Sequence, residues 1–268
     1  MSLRRYFMSL KLIRMCFPVT FRCNLRCVLC IERAPYYVNP YHPSFSSLTA
    51  QIDALFELTD YIDKLDLTGG EPFLRKELPE FIRYIHNSHR NNINTLRITT
   101  NGTITIPTGF LDAARLWGRN VYVIIDKYNI STISDEIDSS LSDAGIPHEI
   151  RDYSNELHCG GWVDFGELSK KHNDFAAREV YNKCVVPKLG FWSCMVDGRI
   201  FPCARARLLY ENGAVDISVN VFDTSLTGNE KKERLMKFLG DEVIEACKYC
   251  NGMCDDSPRF PPAVQISV

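Results

Sequence analysis

No segment of this chain is apolar for long enough to span a bilayer. Arg4, Arg5, Lys11 and Arg14 break up the N-terminal stretch, which leaves no uninterrupted apolar run for a secretory signal. An excess of charge of one sign is missing too: 31 Lys and Arg stand against 33 Asp and Glu, a net charge of −2. That balance gives no electrostatic case for a nucleic-acid partner. Histidine is sparse, and His42, His86, His89, His148, His158 and His172 fall at no metal-ligand spacing. There is no internal repeat and no low-complexity tract. These absences point to a cytoplasmic globular protein with no membrane partner. At 268 residues it can bury a full core, as one large domain or as one domain with an appendage.

Against these absences stand eleven cysteines. Disulfides are rare in a reducing compartment, so metal or cluster ligation becomes their leading explanation. Three of them, Cys23, Cys27 and Cys30, form a CxxxCxxC loop straight after an apolar run (Leu12, Ile13, Met15, Phe17, Val19). Soft thiolates select iron–sulfur clusters, zinc or Cu(I). A purely structural iron–sulfur site normally carries four cysteines, so three on a four-iron cube leave one iron open to a small molecule.

Apolar β-branched runs alternate with helical patterns, which predicts βα units and a parallel sheet. Strands are expected near Leu12–Pro18, Lys64–Leu67, Thr95–Thr100, Asn120–Ile125 and Pro147–Arg151. Helices are expected over Ser47–Tyr61, Leu78–His89, Pro107–Leu116 and Thr132–Ala144, the last closed by Gly145. Five such strands before residue 155 leave too little chain for eight, since an eight-stranded barrel takes roughly 250 residues. The fold class is therefore α/β, a partial, open βα barrel. After Arg151 the texture changes. The spacing predicts a helix over Asp174–Lys183 and a hairpin of Gly190–Met195 and Arg199–Pro202 about an Asp197–Gly198 turn. An amphipathic helix is expected over Glu230–Ala246, with no clear signal over Pro258–Val268. The division falls at 1–165 and 166–268.

Two further motifs follow the triad. Leu65 to Pro72 reads as a strand ending in Gly69–Gly70 and then a carboxylate, Glu71. The glycines let backbone approach a ligand, and the carboxylate can hold an ammonium group. Thr100 and Asn101 close the next strand in Ile98–Thr103. Asp126 and Arg151 fall at later strand ends, where parallel α/β folds place their ligands. In the second half, Cys184-x13-Gly198-x4-Cys203 is followed by Cys247-x2-Cys250-x3-Cys254, and Cys194 lies between. Zinc would suit such CxxC pairs equally well. Cys16, in the first strand, reads as a small buried hydrophobe.

The triad, the Gly–Gly–Glu–Pro element and the Thr100–Asn101 strand end occur in the order seen in the radical S-adenosylmethionine (radical SAM) superfamily, which the chain resembles. The later cysteines resemble its SPASM/twitch extension, in the shorter twitch form with one auxiliary cluster, so a small hairpin-and-helix extension is expected after the barrel. The resemblance implies a 4Fe-4S cluster on Cys23, Cys27 and Cys30 that binds SAM, with Gly69, Gly70 and Glu71 holding its amino group. It places Thr100 and Asn101 at the ribose or carboxylate. It also implies a second 4Fe-4S cluster on Cys184, Cys203, Cys247 and Cys250, with Cys194 or Cys254 as replacements, and an external reductant of flavodoxin or ferredoxin type. The residue before the third cysteine is usually aromatic in the superfamily and stacks near adenine; Leu29 departs from that.

The reaction implied is one-electron cleavage of SAM to methionine and a 5′-deoxyadenosyl radical, which abstracts a hydrogen atom from the substrate. The short single-cluster form resembles the 2-deoxy-scyllo-inosamine dehydrogenases. The leading expectation is therefore a radical SAM oxidoreductase that dehydrogenates a small sugar- or cyclitol-like molecule. The alternative is maturation of a ribosomally made peptide by epimerisation or crosslinking, with Cys159 as hydrogen donor in the turn after the fifth strand. A third is a cluster- or zinc-binding scaffold without activity. Loops around Tyr36–Phe45, Lys127–Ile130 and Ser154–Phe165 are expected to read the substrate.

Overall fold

The computed structural model describes residues 9–154, 161–189, 193–240 and 245–267. Four βα units open the fold: β1 (Lys11–Thr20), α1 (Phe45–Leu58), β2 (Tyr61–Gly69), α2 (Leu78–His89), β3 (Ile93–Thr100), α3 (Phe110–Arg115), β4 (Val121–Lys127) and α4 (Ser134–Asp143). A fifth parallel strand, β5 (His148–Asp152), ends the series. The expected strands are all present, one to three residues longer at some ends. The α1 helix stops at Leu58, short of the predicted Tyr61. Helical spacing continues through Tyr61, but that residue pairs with Lys11 in the β1–β2 ladder, and strand pairing wins.

One sheet of eight strands runs β5-β4-β3-β2-β1-β7-β8-β9 and does not close. Here β7 is Ser193–Val196, β8 Arg199–Phe201 and β9 Val219–Asn220. β7 runs parallel to β1, with Cys16 opposite Cys194, and β8 and β9 add on antiparallel. The predicted hairpin turn is present: Asp197 and Gly198 both take positive φ (48° and 71°), as a two-residue turn matching strand twist requires. The expected division at 165/166 is thus bridged by a continuous sheet.

The two sheet faces differ in chemistry. Met15, Phe17, Leu65, Leu67, Leu96, Ile98, Val121, Val123 and Ile125 face the helices and pack with Leu48, Ile52 and Leu55 of α1 and Phe81, Ile82 and Ile85 of α2. The alternate positions face inward. In register across the sheet, Cys194, Cys16, Asp66, Arg97 and Tyr122 stand side by side. Period-2 alternation fixes which set meets the core.

Past β5 the chain forms β6 (Trp162–Val163), α5 (Asp174–Lys183, as predicted), the short α6 (Val185–Lys188), α7 (Ala204–Glu211) and α8 (Gly228–Gly240). A capping box starts α8: Glu230 Oε2 accepts from Thr227 N at 2.7 Å, while Glu230 N donates to Thr227 Oγ1 at 3.3 Å. The predicted continuation to Ala246 is corrected, because Ala246 belongs to a separate 3-10 turn, Glu245–Tyr249. The stretch from Pro258, which carries no clear signal in the sequence, is paired in the structure. β10 (Arg259–Phe260) pairs antiparallel with β6, and Gln265 forms a β-bridge with Cys27. Among the described residues, no helix is long and apolar enough to cross a membrane.

Candidate active site

The cysteine loop leaves the end of β1 and is held there by backbone. Gly70 N donates to Thr20 O at 2.7 Å and Glu71 N to Arg22 O at 2.9 Å, so the strand after Thr20 and the Gly–Gly element run against each other. A Cβ on Gly69 would lie 1.9 Å from Thr20 O, and one on Gly70 2.3 Å from Arg22 O. Main-chain contact between these two segments, not only ligand approach, therefore demands both glycines.

Glu71 is fully buried and already occupied by protein donors. Its Oε1 accepts from Phe73 N at 2.9 Å, its Oε2 from Asn101 N at 2.7 Å, and the Thr100 hydroxyl donates to the same carboxylate. Burial nevertheless pushes its carboxyl up to about 7, against the pull of those N–H groups, and the nearby Asp126 adds to the rise. Asn101 carries the linkage onward, because its Nδ2 donates to Asn24 Oδ1 at 3.1 Å and approaches Cys23 Sγ at 3.8 Å. Thr103 closes the group by accepting from Asn24 Nδ2 at 2.7 Å and donating its own N–H to Asn101 Oδ1 at 3.0 Å. Glu71, Thr100 and Asn101 thus tie the ends of β2 and β3 to the cysteine loop.

Cys23, Cys27 and Cys30 all sit in that loop as free thiols, close enough to sense one another's charge. Burial raises each: Cys23 to about 12, Cys30 to about 11, and Cys27 upward as well. Cations reverse such a shift, since ligating sulfur must be deprotonated. Hydrogen bonds to sulfur are in place already, from Leu25 N to Cys23 Sγ at 3.4 Å and from Gln265 Nε2 to Cys27 Sγ at 3.4 Å. Among the described residues no three His, Cys, Asp or Glu side chains form a ready cage for a single ion. The soft donor set and its N–H partners carry the fit to a cluster.

Asp126 ends β4 opposite Arg151 of β5. Its Oδ1 is buried and has no hydrogen-bond partner among the described residues. Burial lifts its carboxyl to about 6, against the pull of Arg151 and the Tyr128 hydroxyl. An acceptor buried without a donor at a strand C-terminus is a place for a ligand N–H or O–H. Arg151 is turned partly aside, its Nε donating to Glu149 Oε1 at 2.8 Å. Above Asp126 stands an aromatic wall that no motif marked residue by residue. The Tyr128 ring stacks on Tyr153 at 5.1 Å and meets Trp162 edge-on at 5.6 Å. Tyr128 and Trp162 come from two of the loops expected to read the substrate, and Tyr128 lies near enough to Cys27 and Cys30 to sense their charge.

Deeper on the inner face Asp66 is paired with Arg14 and, at 3.2 Å, with Arg97. Cys16 packs as the small hydrophobe expected, partly buried against the cluster of Cys194, Phe201 and Leu209, and its Sγ also faces Asp66 Oδ2 at 3.9 Å on this polar side. In the second half, Cys203 senses Cys250 and Cys184, Cys250 senses Cys184, and so does Cys254. Cys194 is buried with Phe201 and Leu209, packed against Cys16, Cys203 and Cys247. Cys203 N-caps α7, its Sγ accepting from Ala206 N at 3.5 Å, and Cys250 Sγ accepts from Gly252 N at 3.3 Å. Cys159 and His158 lie outside the described residues.

Comparison with known proteins agrees with this geometry. Residues 17–133 match the model of the radical SAM superfamily. GTP 3′,8-cyclase of Nautilia profundicola is 39% identical over 90 residues, covering 31% of this chain and 26% of that protein. GTP 3′,8-cyclase of Campylobacter jejuni subsp. doylei is 41% identical over 86 residues, again covering 31% and 26%. The chain thus spans about a quarter of the length of these curated relatives. Among solved structures, BtrN in complex with AdoMet and 2-DOIA superposes with a TM-score of 0.54 at 16% identity, covering 95% of this chain and 99% of that one. Native anSMEcpe with bound AdoMet and Cp18Cys peptide gives 0.54 at 14%, covering 95% and 93%. Streptococcus suis SuiB bound to precursor peptide SuiA gives 0.56 at 12%, covering 92% and 72%. At these identities the structures share a fold with the chain.

Proposed function

We propose that the chain is a radical SAM enzyme, residues 17–133 matching that superfamily's model, and that it oxidises a small sugar- or cyclitol-like substrate by hydrogen-atom abstraction. The observation that carries this is the polar inner face. Asp66, Arg97, Tyr122, Glu149, Asp126 and Arg151 stand on the side of the sheet that turns away from the helices. Alternating charge and hydroxyl groups suit a ring bearing several hydroxyl or amino substituents. Whole-length overlap with BtrN, solved with AdoMet and 2-DOIA, supports the same class.

Cys23, Cys27 and Cys30 would hold a 4Fe-4S cluster and leave one position for SAM. Once bound, that pair supplies a 5′-deoxyadenosyl radical able to take hydrogen from an unactivated carbon. The chain's own residues do the rest. Gly69 and Gly70 bring main chain beside the ligand, and Glu71, through Asn101, Thr100 and Phe73, holds the loop ends in register. Asp126 Oδ1 offers an acceptor to an ammonium or hydroxyl group, and Arg151 balances its charge. Tyr128, Tyr153 and Trp162 wall the mouth and exclude water from the reacting carbon. Of the later cysteines, Cys184, Cys203 and Cys250, which sense one another's charge, would form the core of an auxiliary 4Fe-4S site, with Cys247 or Cys254 as fourth ligand. Cys194 lies beside them, packed against Cys203 and Cys247 as well as Cys16. An external flavodoxin- or ferredoxin-type protein would supply electrons.

Overlap with anSMEcpe and SuiB, both solved with peptides, favours peptide modification as the second reading. One experiment separates the two. Anaerobic reconstitution should give about eight iron atoms per chain for two four-iron clusters, and about four would remove the auxiliary one. Incubated with SAM, a reductant and candidate aminocyclitols, the enzyme should release 5′-deoxyadenosine and a product two hydrogens lighter. A product of unchanged mass carrying solvent deuterium would replace oxidation by epimerisation. No SAM cleavage at all would sink both.

A further inference from the structure

The segment after β10 returns across the cysteine loop. Val28 N donates to Val264 O at 2.8 Å, Ile266 N donates to Arg26 O at 2.8 Å, and Cys27 and Gln265 pair as an antiparallel bridge. Ala263 takes φ 53° to bring the segment round, a left-handed conformation that is unfavourable for a residue with a Cβ and persists only where its surroundings fix it. At the centre lies the Gln265 side chain. Arg26 N donates to its Oε1 at 2.6 Å. Because a backbone N–H can only donate, this contact fixes which end of the amide is oxygen. The two hydrogens on Nε2 then go to Ala263 O at 2.7 Å and to Cys27 Sγ at 3.4 Å.

We propose that Gln265 is a positioning residue for the cluster carried by Cys23, Cys27 and Cys30, and that its amide N–H raises the potential at which that cluster is reduced. The inference rests on reading those three cysteines as cluster ligands. Its physical basis is that a donor aimed at a thiolate stabilises the more negative, reduced state of the cluster, and hydrogen bonds to the sulfurs are among the determinants of iron–sulfur potentials. Cys27 is the one cysteine of the three whose sulfur accepts from a residue 238 positions away. The donor therefore arrives on the segment that follows Cys254. Order in the auxiliary half thereby decides whether the first cluster receives its hydrogen bond.

The test uses the full chain, reconstituted anaerobically, as wild type, Gln265→Glu and Gln265→Met. The glutamate keeps an oxygen for Arg26 N–H but loses the donor, while the methionine keeps the length and loses both. Iron and sulfide are counted per chain, and each cluster is titrated potentiometrically by electron paramagnetic resonance. The signal that changes on adding SAM identifies the first cluster. Both variants should retain the wild-type iron content, and their SAM-responsive signal should move to lower potential. At a fixed solution potential the ratio of reduced to oxidised cluster should fall about tenfold, which for a one-electron couple is 59 mV. The other signal should stay in place. An unmoved SAM-responsive potential overturns the proposal, as does an equal shift in both signals or selective loss of the first cluster. A wild-type chain with no SAM-responsive cluster overturns the cluster reading itself, and this inference with it.

Discussion

Glu71 holds a buried negative charge that backbone donors only partly stabilise. Its carboxyl is pushed up to about 7 in the folded protein, above the ordinary carboxylate range, so the folded state binds a proton that the unfolded state has released. The stability this contributes is full below about pH 4.5 and is lost as pH rises through 7. Asp126, pushed up to about 6, acts with the same sign over a lower window. Thermal melting of the metal-free protein should therefore fall between pH 5 and pH 8, by an amount on the order of 3 kcal/mol for Glu71. In Glu71→Gln the slope should flatten, and a wild-type melting temperature that rises over this range would refute the assignment. Gly70 faces a steric limit instead. Its added methyl in Gly70→Ala would meet the main-chain oxygens of Arg22 and Phe21 at 2.3 Å and 2.8 Å, atoms no rotamer can move. A loss of about 1–3 kcal/mol, read from urea midpoints, should accompany a loosened cysteine loop. The thiol triad and the Gly–Gly–Glu–Pro element were legible in the sequence because each is compact along the chain. Glu71's real partners were not, because Asn101 N is 30 residues away and a backbone N–H has no residue type to betray it.

At the scale of elements, the sequence yielded α2 and α5 to the residue and hid α7 entirely. The reason is visible in what α7 buries: Arg205, Ala206, Arg207, Leu208 and Leu209 are all shielded, so its pattern has neither an apolar stripe nor a polar face. Arg207 explains the arrangement. Its guanidinium reaches Glu32 Oε2 at 2.9 Å, Glu211 Oε1 at 2.6 Å and the Tyr37 hydroxyl at 2.7 Å, and it lies 4.5 Å from the centre of the Phe21 ring. Glu32 follows Cys30 by two residues, so α7 grips the far side of the cysteine loop. Burial pushes the Glu32 carboxyl up and Arg207 pulls it back. Arg207→Ala should leave that carboxylate buried without its cation and cost about 3–5 kcal/mol, whereas Arg207→Met should cost less only if Glu32 is replaced by Gln in the same chain. Urea denaturation of the two single variants and the double variant checks this as a cycle, and additive losses would mean that the groups do not couple.

Over the whole molecule, the sequence suggested a barrel with an appendage, and the structure joins them in one sheet. β7 lies against β1, the strand that also leads into the cysteine loop, and supplies Cys194 opposite Cys16. β7 carries too few residues, four, to signal its partner, and parallel pairing with a strand some 180 positions earlier leaves no local trace. The consequence concerns cooperativity. Without β7, β1 becomes an edge strand with unpaired backbone groups and a row of apolar side chains, which the protein would have to expose. The bridge from Cys27 to Gln265 and the contact of Arg207 with Glu32 tie the same halves at two further points. The chain should therefore unfold as one unit, not as two domains parting at 165/166. Trp117 is buried beside α3 within the first half, whereas Trp162, in β6, pairs across the division with Phe260 of β10 and reports on the contact between the halves. In chains that keep one of the two and carry phenylalanine at the other and at Trp192, fluorescence and far-ultraviolet circular dichroism should trace a single urea transition with a common midpoint. Separated midpoints, with the Trp162 signal lost first, would show that the halves part before the barrel unfolds and that the shared sheet is a docking contact only.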